Sequence, residues 1–381
     1  MQPTTRVRSC DRSSIRVLFD LAERVERAGG DPVRLEVGEP DFATPDHVTE
    51  AAFAATREGE TGYTSNAGIP RLREAISETL AREYGAEYDP DEVLVTTGGM
   101  EALHLAALCV LEPGSELVIP TPGWPNYWTQ ARLADAHPRE VPMPYPYDLD
   151  ADRVVEAMGP ATSAVMLCSP SNPTGRVADP AEIRAVVEAA RDHDAYVVAD
   201  EVYVSLTYDR DPVATAALTD HPDHILTVGS CSKSHAMTGW RVGWLAGPHE
   251  MVDEATKIRE STTACTSAIA QHAALAALTG PQEPMEEMYA AFAERRDYVA
   301  DRLDDMAGVA APRPDGAFYS FLDPKGYDDS MALATELVRE AGVVLAPGSG
   351  FGAAGEGKLR LSFANSMERL EDGLDRLEAA L

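Results

Sequence analysis

Lysine is nearly missing from this chain of 381 residues: of its 32 Lys+Arg, only Lys233, Lys257, Lys325 and Lys358 are lysine. Set against 63 Asp+Glu, the basic residues leave a formal net charge of −31, which repels nucleic acid and anionic membranes and so removes both as partners. The acid is dispersed, from DPDE at 89–92 to the closing MERLEDGLDRLEAAL, rather than gathered in a tail. Dispersed acid with scarce lysine is the composition expected of a halophilic protein, whose salty cytoplasm screens self-repulsion. Long apolar runs are lacking too. Nothing approaches the ~18 residues of a membrane span and no apolar leader opens the chain, so a cytoplasmic location is expected. The five cysteines (Cys10, Cys109, Cys168, Cys231, Cys265) lie far apart without a C-x-x-C, which indicates neither a zinc site nor a disulfide framework. They are expected to be reduced and mostly buried, and no metal site is predicted.

What is present is enough apolar sequence, 44% of residues, to bury a large core in two or three structural units. Within it, Lys233 alone among the lysines sits among small, hydroxylated and aromatic residues: Ser230, Cys231, Ser232, Ser234 and Trp240. Desolvation there would lower the pKa of the amine and suit it to Schiff-base chemistry. Arg241, eight residues on, offers a fixed cationic fork to a phosphate, and Ser230 and Ser232 offer hydroxyls. This S-x-S-K with its following arginine resembles the pyridoxal-phosphate lysine motif of the class I/II aminotransferases, the aspartate-aminotransferase-like family of fold type I.

Other motifs recur along the chain in the order of that family. A helix (SSIRVLFDLAERVERAGG) and a strand (VRLEV) lead to Gly38-Glu39-Pro40-Asp41-Phe42, where the resemblance places a glycine amide against the substrate α-carboxylate. A helix near 46–58 precedes Tyr63, which by resemblance reaches the cofactor phosphate of the neighbouring subunit, and Pro70 opens the next helix. VLVTTGGMEALHLAALCVL reads as strand, glycine turn and helix, and the helix start at Gly99 and Met100 is an anion site. Trp124, in P-x-W-x-x-Y after the strand ELVIP, corresponds to the residue that stacks on the pyridine ring. Strand SAVMLC runs into SPSNPTG, in which Asn172 would touch both the cofactor's phenolic oxygen and the substrate carboxylate. Two X-Pro bonds restrict that loop and admit a cis bond.

Strand AYVVAD ends in Asp200 and, three residues on, Tyr203. A carboxylate at the carboxyl tip of a strand stands where open α/β sheets bind ligands; paired with a pyridine nitrogen it keeps the ring an electron sink. Residues 248–280 read as helical and are followed by a long helix through MEEMYAAFAERRDYVADRLDDM. The strand KLRLSF places Arg360 inside an apolar alternation, where an inward arginine wants a carboxylate; the resemblance supplies the substrate's.

The alternation of strands and helices predicts an α/β fold with a mostly parallel seven-stranded sheet between helices, plus a smaller α/β domain. The expected division is an N-terminal arm and part of the small domain at 1–44, a large cofactor-binding domain at 45–280 and a small C-terminal domain at 281–381. The resemblance implies an aminotransferase that moves an amino group from an L-amino acid to a 2-oxo acid by a ping-pong mechanism. Pyridoxal 5′-phosphate would sit on Lys233 as an internal aldimine, with Asp200 and Tyr203 as its chemical partners. A homodimer with sites shared across its interface follows from the role of Tyr63. In some relatives a lysine at or near the position of Met100 helps to recognise a dicarboxylate; here Met100, Glu101 and His104 stand there, and aspartate, aromatic, branched and small donors all stay open. A C–S β-lyase on the same fold is the alternative reaction.

Overall fold

Gly59 ends one helix and Gly85 the next, both in the left-handed region with φ of 89° and 73°, and these stops set the rhythm of the first hundred residues. The computed structural model describes residues 3–10, 12 and 14–381. Its N-terminal part contains a single turn, α1 (Thr5–Arg8), and α2 (Ser14–Arg27), then the short strand β1 (Val33–Arg34), α3 (Asp46–Glu58) and α4 (Pro70–Tyr84) with Pro70 at its first turn. β2 (Val93–Thr96) follows and leads through Gly98 into α5 (Gly99–Val110).

Apolar, β-branched runs then build one sheet from β2, β3 (Glu116–Thr121), β4 (His137–Pro142), β5 (Thr162–Cys168), β6 (Tyr196–Asp200), β7 (Ile225–Ser230) and β8 (Gly243–Ala246). The order is β2-β8-β7-β6-β5-β3-β4, with β8 antiparallel to both neighbours and every other pair parallel. Parallel strands covered on both faces read as near-continuous apolar runs, which is why VVA and ILTV carry little alternation. Their period of two still sorts the side chains: Val165, Val197 and Ile225 enter one core, while Ala164, Val198 and Leu226 enter the core on the opposite face.

A smaller antiparallel sheet, in the order β12-β13-β10-β9, contains β9 (Val309–Ala310), β10 (Tyr319–Pro324), β12 (Ala346–Pro347) and β13 (Leu359–Ser362). β11 (Val343–Val344) pairs parallel with β1, which ties residues near the start of the chain to its last hundred. Their shared core takes Leu18 and Ala22 from α2, Phe292 and Val299 from the helix Glu283–Asp305, and Leu370 and Leu374 from the helix Met367–Ala380.

Three local expectations change. Residues 248–280 are two helices, His249–Glu260 and Ala268–Thr279. Between them Ala264 takes a φ of 59°, and the buried Arg259 guanidinium is drawn to Asn66 O and Thr266 Oγ1. The strand expected over 33–37 is regular only at β1, because from Leu35 onward the backbone serves β13, accepting from the Ser362 amide and the Arg360 side chain. All five cysteines are free, but only Cys231 is fully buried, the others being partly exposed. Among the described residues no helix is long and apolar enough to cross a membrane.

Candidate functional site

The carboxyl ends of β5, β6 and β7 deliver Asn172, Asp200 and Lys233 to one place, and α5 begins beside them. This is the edge at which parallel α/β sheets leave a crevice. The cavity there is about 440 Å³, of the size that holds small molecules.

β7 ends at Ser230, which caps a single helical turn, Cys231–Ser234, by accepting from the Ser232 amide at 3.0 Å. The Ser230 hydroxyl also lies 2.8 Å from Ser232 Oγ and 2.9 Å from the Val242 carbonyl, so the turn is fixed at both ends. That turn aims Lys233 across the cavity, where its Nζ donates to the Gly38 carbonyl at 2.6 Å. Gly38 has no substitute at this approach: a Cβ would stand 2.2 Å from the Tyr319 hydroxyl. Burial lowers the Lys233 amine to about 8; Arg360 and Arg241 push the same way, and Glu39 and Asp200 oppose them.

Asp200 closes β6, 2% exposed, and accepts from the Tyr127 hydroxyl at 2.7 Å. Burial raises its carboxyl to about 6 against the bonds from Tyr127 and the Val202 amide and the charge of Lys233. Trp124 packs edge-on against Tyr127 with ring centroids 5.7 Å apart. Tyr203 and Tyr319 share a hydroxyl contact of 2.8 Å, and burial pushes both phenols up, so both stay neutral.

At the start of α5 the first-turn amides point out of the helix, and Gly98 holds a φ of 79°. Arg241 comes so close that a Cβ on Gly98 would meet its Nη2 at 2.5 Å. Its Nη1 donates to the Thr238 carbonyl at 2.8 Å. On the far side Arg360, 3% exposed, donates to Asn172 Oδ1 at 2.9 Å and to the Glu36 carbonyl at 2.6 Å. Its Nε is buried with no partner, and its guanidinium lies 4.4 Å over the Tyr319 ring. Among the described residues it forms no ion pair with a carboxylate.

Every residue to which the sequence assigned a catalytic, cofactor or substrate role lines this cavity except Tyr63, which is 94% exposed outside it. Sequence reasoning gave no role to Tyr127, Tyr319, Glu36 or Leu103, which line it too. Tyr127 had a signal, since it completes P-x-W-x-x-Y. Ile15 and Phe19, from the helix predicted over SSIRVLFDLAERVERAGG, line the cavity as well.

With the geometry in place, comparison with known proteins is direct. The family model described as Aminotransferase class I and II matches residues 30–377. The aspartate aminotransferase of Geobacillus stearothermophilus is 37% identical over 390 residues, covering 99% of this chain and 98% of that protein. The structure of the Thermus thermophilus aspartate aminotransferase with maleate superposes with a TM-score of 0.95 at 37% identity, covering 100% of both chains. The alanine aminotransferase of Pyrococcus furiosus gives 0.94 at 31% identity over 99% of both chains.

Proposed function

Since this chain belongs to the class I and II aminotransferases, with the fold type I architecture, we propose that it moves an amino group from an L-amino acid to a 2-oxo acid with pyridoxal 5′-phosphate held on Lys233. The observation that carries the cofactor is a set of three mismatched charges around one cavity. Asp200 is a buried acid with no cation in hydrogen-bond reach among its described partners, which suits a pyridine N–H. Arg241 and the start of α5 present donors to an anion, which suits the phosphate, with Ser230, Ser232, Gly99 and Met100 beside them. Arg360 is a buried cation with an unpartnered Nε, which suits the substrate α-carboxylate with Asn172 and Gly38 alongside. The cofactor, when bound, supplies an aldehyde carbon and an electron-withdrawing ring on which the amino group is carried.

The chain's own residues do the rest. Arg360 fixes the substrate by its carboxylate, which turns the Cα–H toward Lys233. Lys233, its amine lowered to about 8, would take the proton from the substrate Cα and deliver it to the carbon that was the cofactor's aldehyde, and the second half-reaction would run the same transfer in reverse. Asp200, oriented by Tyr127, would hold the ring nitrogen and keep it protonated, Trp124 would lie against the ring, and Tyr203 and Asn172 would hold its phenolic oxygen. We also propose a homodimer in which the exposed Tyr63 reaches the partner's phosphate, and the domain division at 45 and 280, supported by one core drawn wholly from 48–278 and a second drawn mostly from the flanking segments, which Tyr203, Leu206 and Tyr208 join. A cytoplasm rich in salt is proposed from the charge of −31; a melting midpoint that fails to rise between dilute and molar KCl would sink that point. The C–S lyase alternative is not favoured, because the relatives named above are aminotransferases. Lys233→Ala should lower turnover at least about ten-thousandfold while leaving the circular dichroism spectrum intact, and near-normal transamination by that variant removes the reading.

A further inference from the structure

The wall of the cavity away from Lys233 assigns the side chain of the substrate, an inference that rests on the aminotransferase reading above. Three cations in the lining have tasks already: Lys233, Arg241 and Arg360. The fourth, Arg16 on α2, is 69% exposed by its side chain, 3.7 Å from Asp20, and lies over the Phe19 ring at 4.9 Å. Arg34, whose guanidinium lies 4.4 Å from the Phe19 ring centre, is engaged by Glu26 at 3.0 Å and Glu36 at 2.5 Å. Glu36 itself lines the cavity, fully buried, with Oε2 unpartnered. A second carboxylate on the substrate would therefore meet, from this protomer, one exposed, engaged cation and a buried acid, and an unpaired buried charge is strongly disfavoured.

The rest of that wall is apolar. Ile15 and Phe19 come from successive turns of α2, and Met100 and Leu103 from the first turns of α5. The Met100 sulfur lies 3.6 Å from Gln130 Nε2, so the position that begins α5 brings neither a cation nor a free donor. We infer that the preferred amino donor is a monocarboxylic L-amino acid with an apolar side chain, aliphatic or aromatic, packed between α2 and the start of α5. The chain thereby departs from the dicarboxylate donor in the names of its aspartate aminotransferase relatives.

The test is calorimetric binding to the cofactor-loaded protein in concentrated KCl, with carboxylates that carry no amine: 4-methylpentanoate and 3-phenylpropionate against succinate and maleate. The two apolar monocarboxylates should bind at least about tenfold more tightly, and Met100→Lys should shift the ratio toward the dicarboxylates by at least about tenfold. Equal or tighter binding of succinate or maleate to the wild type overturns the inference; loss of that binding in Arg16→Ala would name the cation responsible. A ratio unmoved by Met100→Lys overturns the placement against α5. A protein that transaminates but prefers dicarboxylates loses only this inference. One that takes up no cofactor and binds neither class loses the aminotransferase site as well.

Discussion

Lys233 ends its stem among Arg360, Arg241 and a carbonyl, and burial there lowers its amine. With the amine lowered to about 8, the neutral form is already abundant in mildly alkaline solution. The rate at which cofactor-free protein captures pyridoxal phosphate should rise with pH through about 8, and a rise centred near the ordinary lysine value of 10.5 would contradict the cavity's effect. Next to Asp200, Glu201 is buried and held by the Thr215 amide at 2.6 Å, with its second oxygen unpartnered. Burial raises it to about 7 from its ordinary value of 4.5. Between those values the folded protein binds the proton and the unfolded chain does not, so stability is lost as pH rises through that window. Glu201→Gln should therefore melt higher than the wild type at pH 8, by a margin that shrinks as pH falls toward 4.5, and an equal melting point at pH 8 argues against it. At this scale Asp200, Lys233 and Arg360 were legible because each interrupts an apolar strand or follows its tip. The pairings of Tyr127 with Asp200 and of Tyr319 with Tyr203 were not, because these partners stand 73 and 116 residues apart and only the fold brings them together.

The elements that matter most meet where β8, β7 and the start of α5 cross. Gly243 in β8 has no room for a side chain: a Cβ would lie 2.6 Å from the Gly99 amide nitrogen and 2.7 Å from the Gly229 carbonyl, both backbone. Gly243→Ala should cost about 1–3 kcal/mol and push on the α5 start. Thermal melting together with cofactor titration checks this, and an unchanged midpoint with unchanged cofactor affinity would show that the crossing yields. Helix limits were readable where punctuation is local, as at Pro70 and for the helix near 46–58. The break at 261–267 was not, since it depends on Arg259 reaching back to the loop that follows Tyr63. Nor could sequence show that α2, read only as a helix, turns Phe19 to the cavity wall.

For the whole molecule, the sequence carried the sheet, its mostly parallel order and the family, because strands buried on both faces leave continuous apolar runs and the ligand loops follow their tips. The shared small core of chain start and chain end was legible only through the resemblance, since β1 and β11 pair across some three hundred residues. A dimer that exchanges Tyr63 makes a sharp prediction. Lys233→Ala and Tyr63→Ala homodimers should each be impaired, and heterodimers of the two should regain up to about half the wild-type activity, since one site of each is then intact. Heterodimers that form but stay inactive would place Tyr63 outside the partner's site.

The most direct measurement of the central claim is a single half-reaction on the cofactor-loaded protein, with one L-amino acid added and no 2-oxo acid. The account predicts that the cofactor's visible absorption bleaches once, that one equivalent of 2-oxo acid appears per site, and that adding a 2-oxo acid restores the band. Continuous release of ammonia without an acceptor, or a band that never bleaches with any amino acid, would contradict it.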